Sequence, residues 1–171
     1  EVLAGINNVK INISPKELTR KRYCENLIAI IRSNGLSPER FQFEITETCA
    51  ANYSKELEDC ILMLENAGIT LCLDDFGCGY ANLERILHLP FSVIKMDRSL
   101  LHNIGINPRT TMFYESMVKT LHHCGYQIVS EGVETRREVE VLESCKVDMI
   151  QGYYFAKPLP GQEVLEKLGK R

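Results

Sequence analysis

One rhythm constrains the fold of this chain more than any other feature. Short apolar runs rich in β-branched residues alternate with longer segments of helical period. The runs are VKINIS at 9–14, FQFEIT at 41–46, ITLCLDD at 69–75, SVIKMD at 92–97, QIVSEGV at 127–133 and MIQGYYF at 149–155. Helices are expected between them at 15–34, 53–67, 81–88, 108–124 and 136–145. Ser14-Pro15-Lys16-Glu17 offers a cap, a proline at the first helical position and an acid in the first turn, and Gly35, Gly68 and Gly125 stand where helices should stop. A helix between successive strands is a crossover, and crossovers join parallel strands, so the chain reads as an α/β fold. The runs are apolar on both faces, as strands covered on both sides would be. No low-complexity stretch or Ser/Gly linker interrupts the 171 residues, so 1–171 is expected to form one domain.

Polar residues fall at the ends of these runs: Asn12 and Ser14, Glu44 and Thr46, Asp74 and Asp75, Lys95 and Asp97, Glu131, and Gln151. In parallel α/β folds those ends face one way, so the side chains should gather on one face. Asp74 and Asp75 pose the sharpest question, because LCLDDFGCGYANL ends a buried run on two adjacent like charges. One could cap a helix while the other is solvated. With acids and an Asn from distant strands beside them, hard oxygen ligands in that number suit Mg²⁺ or Mn²⁺, whose charge offsets the repulsion. Lys95 needs a partner if buried, with Asp97 and Glu131 as candidates; it could instead neutralise substrate charge or orient a nucleophile. Glu131 could ligate a metal or deprotonate a water, whereas Glu134 suits a helix-start acid.

Other signals are weaker. The DFG triplet lacks the Gly-rich strand and H-R-D loop of a protein kinase, and Gly77-Cys78-Gly79 is too short for a phosphate loop. His88, His102, His122 and His123 show no metal-binding spacing and read as surface or core residues. Tyr153 and Tyr154 could stack on a base, though packing in an aromatic core is the plainer role. The net charge of −3 provides no basic footprint for duplex nucleic acid. Seven cysteines without a C-x-x-C pair read as reduced thiols of a cytoplasmic domain. No run of about 18 apolar residues spans a bilayer, and the start at Glu1 suggests a longer parent protein, which could itself be membrane-tethered.

Taken together, NIS with PKEL (12–18), EITET (44–48), DDFGCGYANL (74–83), IKMD (94–97), SEGVET (130–135) and QGYYFAKPLP (151–160) resemble, in order and spacing, the EAL-domain phosphodiesterases of bacterial cyclic-di-GMP signalling. The resemblance implies a modified (β/α)₈ TIM-like barrel that hydrolyses cyclic-di-GMP to linear pGpG with two Mg²⁺ or Mn²⁺ ions. It implies Asn12, Glu44, Asp74 and Asp75 as metal ligands, with Asp74 bridging both ions. Glu131 corresponds to a metal-associated acid or base, and Lys95 to the lysine that orients water and stabilises the phosphate. Glu47 is similar to the glutamate that steadies the loop after the double aspartate, Asp97 falls among the loop- or substrate-supporting residues, and Gln151 among those lining the site.

The family's Glu-Ala-Leu triad, at the end of its first strand, does not occur here. At about 30 residues per βα unit, the chain is expected to hold about six units of the eight, short of a metal ligand and an arginine contact carried by the first strand. Bare strand edges suggest a homodimer, and the resemblance implies a sensory or GGDEF domain upstream. Cys78, Ala81 and Asn82 stand where the family usually has threonine and two serines. Three readings follow: a cyclic-di-GMP phosphodiesterase; an inactive EAL domain that serves as cyclic-di-GMP receptor or interaction module; or a Mg²⁺-dependent barrel enzyme with Lys95 as base.

Overall fold

Each of the six apolar runs forms a strand. In the computed structural model, which describes residues 8–51, 54–79 and 83–168, they are β1 (Val9–Asn12), β2 (Phe41–Thr46), β3 (Thr70–Phe76), β4 (Val93–Met96), β5 (Gln127–Ser130) and β6 (Met149–Ile150). All pair in parallel, and their spatial order is their chain order, β1 to β6. A doubly wound sheet reverses its strand order at a switch point, whereas unbroken sequential order is the winding of a (β/α)₈ barrel. The fold is therefore an incomplete TIM-like barrel of six strands, as the sequence implied. The helices are α1 (Pro15–Leu18), α2 (Lys21–Ser33), α3 (Glu47–Ala51), α4 (Lys55–Asn66), α5 (Leu83–His88), α6 (Pro108–His123), α7 (Arg136–Ser144) and α8 (Gly161–Leu168).

Strand alternation divides the interior in two. Phe43, Ile45, Leu71, Leu73, Phe76, Ile94, Met96 and Ile128 point outward and join the main core with the helices. On α4, Leu57, Cys60, Ile61 and Leu64 supply a stripe at helical spacing. The intervening residues Cys72, Val93 and Val129 form a separate small cluster on the lumen side. Two residues further along the same strands come Asp74, Lys95 and Glu131, so the lumen is apolar in one layer and charged in the next. The helices α2, α4 and α6 end as expected: Leu36, Ile69 and Tyr126 each donate a backbone N–H five residues back, to Ile31, Leu64 and Leu121, across a glycine of positive φ.

Several expectations need correction. The segment 15–34 is not one helix, because the extended backbone of Arg20 separates α1 from α2. On a continuous helix Leu18 would lie about 120° from the stripe of Cys24 and Ile31; the break turns Leu18 into the core, where it is fully buried. The run 149–155 is a strand for only two residues. Gly152 packs so closely on the Val133 backbone that the chain crosses the end of β5, and Tyr154 N–H donates to Val133. Tyr153 and Tyr154 are consequently exposed, not packed in an aromatic core. All four residues of β1 are exposed too, so coverage of both faces fails at that edge strand. Helices α3 and α8 were not anticipated, while Tyr53, Ala81 and Asn82 lie outside the described residues. Among the described residues, no helix is long and apolar enough to cross a membrane.

The join between α6 and the sheet yields a test. One oxygen of Asp148 accepts from the Ile128 N–H and pairs with His122 Nε2, each at 2.7 Å. Burial works to raise this carboxyl, but the Ile128 amide and His122 outweigh it and hold it below the ordinary aspartate range. A lowered folded-state value stabilises above the unfolded pKa and loses that contribution as pH falls through the folded one. Asp148→Asn should thus be less stable than the parent at pH 7, with the gap in urea midpoints closing as the pH drops below about 3.9. A gap unchanged down to pH 2 would rule the linkage out.

Candidate active site

The double aspartate is accommodated by a bulge. Leu73 pairs with Ile94 and Phe76 with Met96, so β3 spends three steps where β4 spends two. In a regular strand Asp74 would face the lumen and Asp75 the hydrocarbon side. Asp75 instead adopts φ +58°, a left-handed conformation that Asp tolerates better than most side chains. Phe76 then returns to the core while both carboxylates stay on the polar side. Carboxylate oxygens of Asp74, Asp75 and Glu131 all lie within 4.8 Å of one another.

Lys95 is the centre of the charged layer. Its ammonium is 2.8 Å from Asp74 Oδ1, 2.8 Å from Glu131 Oε1 and 3.0 Å from Glu44 Oε1, with only 5% of the side chain exposed. Burial pushes the lysine down, but hydrogen bonds to Asp74, Glu131 and Glu44 outweigh it and hold it well above its ordinary value. Glu131 is pushed up, by burial first and then by Asp74 and Glu44 against the pull of Lys95. Asp75 is raised by burial and by Asp74 and Asp97. Glu44, Asp74, Asp75 and Glu131 thus gather around one ammonium, and two of them, Asp75 and Glu131, resist ionisation, through burial first and their acidic neighbours second. Such a deficit of positive charge, among hard oxygen donors, fits a divalent cation.

The loop after the bulge is latched from two sides. Glu47, at the start of α3 and 1% exposed, accepts from Gly77 N–H at 2.8 Å and Cys78 N–H at 3.1 Å. Gly77 is required there: its φ is +103°, and a Cβ would stand 2.6 Å from Leu100 Cδ1. Asp97 accepts from Ser99 N–H at 2.8 Å, capping a 3₁₀ turn at Arg98–Leu101, and from the Cys78 thiol.

Asp74, Asp75, Lys95 and Glu131 therefore meet, with Glu44 joined through Lys95. Asn12 is exposed on β1, and its backbone lies beside Glu44. Glu47 and Asp97 support the loop, and Gln151 lies at the rim beside Glu131, Arg98 and Tyr153, lining a cavity of about 270 Å³. Asp97 does not partner Lys95. Glu134 is not the helix-start acid: Thr135 and Glu138 form the capping box of α7, and Glu134 pairs with Arg98 at 2.9 Å. Neither periodicity nor spacing signals that pair, but the adjacency of β4 and β5 brings the residues following each strand together.

The bulge makes a prediction about Asp75. Its raised value means that ionising it opposes folding, so Asp75→Asn should be at least as stable as the parent at pH 7. Asp75→Val places a branched side chain at positive φ and should lose about 1–2 kcal/mol in urea unfolding. Equal stability of the two variants would show that no left-handed residue is held there.

Comparison with known proteins agrees with this geometry. The sequence matches the EAL domain family over residues 3–158. It is 33% identical over 159 residues to the cyclic di-GMP phosphodiesterase RocR of Pseudomonas aeruginosa, covering 93% of this chain and 41% of that protein. Among solved structures, the EAL enzyme Bd1971 in its cAMP- and cyclic-di-GMP-bound form superposes with a TM-score of 0.87 at 27% identity, covering 94% of this chain and 43% of that one. Klebsiella pneumoniae BlrP1, as a manganese and cyclic-di-GMP complex, superposes with a TM-score of 0.84 at 29% identity, covering 92% and 40%. This chain spans about two-fifths of the length of each of these three. From its barrel winding, its acidic centre and these matches, the chain belongs to the EAL domain family.

Proposed function

We propose that this chain is the metal-binding part of a phosphodiesterase that hydrolyses cyclic-di-GMP to linear pGpG. The observation that carries the reading is the convergence of Asp74, Asp75 and Glu131 within 4.8 Å at the polar end of the barrel. Relatives named as cyclic-di-GMP phosphodiesterases, and a structure with manganese and cyclic-di-GMP, support it. Asp74, Asp75 and Glu131 would hold Mg²⁺ or Mn²⁺, with Glu44 and Asn12 completing a two-ion site. The ions supply the charge that polarises a phosphodiester and acidifies water.

The chain's own groups do the rest. Lys95, kept protonated by the three carboxylates that take up its three N–H donors, adds positive charge where negative charge develops and would donate to the water or phosphate once a cation draws one carboxylate away. A lysine so held is poorly suited to act as a base, which weighs against a carbonyl-directed barrel enzyme. Glu131, 2.8 Å from Lys95 and beside Asp74 and Asp75, is the metal-associated acid or base of this reading. Glu47 and Asp97 fix the loop that carries Asp75, and Gln151 lines the substrate side.

In this reading 1–171 belongs to one EAL domain, and a sensory or GGDEF domain is among its proposed partners. The bare edges of β1 and β6 favour further pairing, and a homodimer is part of the proposal. Seven free cysteines suit the cytoplasm. The second reading, a receptor or interaction module without turnover, is favoured by β1, an exposed edge strand that contributes Asn12 but no carboxylate.

Calorimetric titration of cyclic-di-GMP in Ca²⁺, followed by product analysis in Mn²⁺, separates the readings. The enzyme should bind in Ca²⁺ and release pGpG in Mn²⁺. Binding without cleavage in Mn²⁺ would establish the receptor, and no binding in either cation would refute both. A second test removes the central ammonium: without divalent ions, Lys95→Met should lose about 3–5 kcal/mol of stability, because three buried carboxylates lose their partner. Mn²⁺ should restore part of that loss in thermal melts. A variant that melts like the parent would show that the ammonium does not hold the acids together.

A further inference from the structure

The outward side chains of β2, β3, β4 and β5 are apolar and pack under the helices, with one exception. Ser130 falls between Val129 of the lumen cluster and Glu131 of the charged layer, so strand alternation turns it toward the helices, where it is fully buried. The phenol of Tyr114, on α6 and equally buried, lies against it, with Cys145 at the end of α7 also near. Burial pushes this phenol up to about 12 and Ser130 pulls the other way, so the two hydroxyls sense each other. Neither the Tyr114 hydroxyl nor Ser130 Oγ completes a hydrogen bond among the described residues. Two buried hydroxyls short of a full bond cost free energy that Phe and Ala in the same places would not. Core packing alone therefore does not account for them.

Their position gives a reason. The end of β5 is tied to both neighbouring strands: Glu131 N–H donates to the Met96 carbonyl at 3.1 Å, and the Ser130 carbonyl accepts from Gln151 N–H at 2.8 Å. Those bonds run along the sheet and leave the distance of the strand end from α6 unset. Glu131 is the last residue before the chain turns at Gly132, whose φ is +69°. A small shift of this strand end against α6 completes the bond between Tyr114 and Ser130, and the Glu131 carboxylate, 2.8 Å from Lys95, moves with it.

We propose that Tyr114, acting through Ser130, is a positioning residue that sets the depth of the Glu131 carboxylate beside Lys95, Asp74 and Asp75. Its effect on turnover rests on the phosphodiesterase reading, whereas its hold on the strand end does not. Tyr114 stands behind the sheet and touches neither substrate nor ion, so substrate affinity is left alone.

Two measurements test this on the full protein and on Tyr114→Phe, Ser130→Ala and the double variant. In amide hydrogen exchange without divalent ions, Glu131 and Gln151 should exchange about tenfold faster in each single variant and no faster still in the double, while the amides of β2 and β3 keep the parent rate. In Mn²⁺, kcat for cyclic-di-GMP should fall about tenfold with KM within about twofold of the parent, again without further loss in the double. The melting temperature of Tyr114→Phe should equal or exceed the parent's, because it sheds a buried hydroxyl that lacks a full bond. Faster exchange across the whole barrel with a lowered melting temperature would overturn the proposal in favour of a packing role. In a protein that cleaves cyclic-di-GMP, an unmoved exchange rate, an unmoved kcat, or losses that add in the double variant would overturn it and leave the phosphodiesterase standing. Faster exchange confined to the end of β5 in a protein that does not cleave would uphold the hold on the strand and refute the phosphodiesterase.

Discussion

The ammonium of Lys95 and the three carboxylates around it set the terms for the rest of the barrel. A charge this deeply buried costs several kcal/mol in desolvation, and only close, well-directed partners offset it. Those partners come from β2, β3 and the end of β5, so the cluster ties together strands that are distant in sequence. The attraction works in both directions, since the acids could not gather on an apolar layer of Cys72, Val93 and Val129 without a cation among them. That leaves more negative charge than one lysine neutralises, and the surplus is what a divalent ion would use.

The geometry of the acids depends on parts of the molecule that carry no chemistry. Outward residues of the strands pack on the helices and fix where each strand ends, which sets the height of each polar side chain above the lumen. Within that frame β3 alone departs from regular pairing. The departure is held by Glu47 on the amides of Gly77 and Cys78, and by Asp97 on the Cys78 thiol. A buried glutamate spent on two backbone amides is a costly arrangement unless the loop must not move.

Much of this was legible in the residues. The alternation of strands and helices is a local signal repeated six times, and parallel pairing makes the ends of the runs converge whatever their detailed packing. The partners of Lys95 were only partly legible: Glu131 was expected, but Glu44 and Asp74 depend on how strongly the sheet brings neighbouring strand ends together. The bulge at Asp75 shows only as a doubled polar residue between Leu73 and Phe76, which a strand simply ending in solvent would also produce. The brevity of β6 was hidden because Gly152 crosses Val133, a contact set by tertiary structure alone. The exposure of Tyr153 follows from the same crossing. The run looked like core because aromatic residues in a strand usually are, and the chain leaves the sheet just before them.

The bulge also bears on how such a site arises and disappears. Without Asp75, the run of Leu73, Asp74 and Phe76 alternates outward, inward and outward as a regular strand should, and it would pair with Ile94, Lys95 and Met96 residue for residue. The second aspartate is thus an insertion into a strand already complete for folding. A lineage could gain or shed that carboxylate by a single-codon event while the barrel behind it keeps its core, its strand order and its central lysine. Loss of chemistry and loss of fold are uncoupled at this position, and a barrel that has stopped turning over substrate could persist in evolution as a well-folded scaffold.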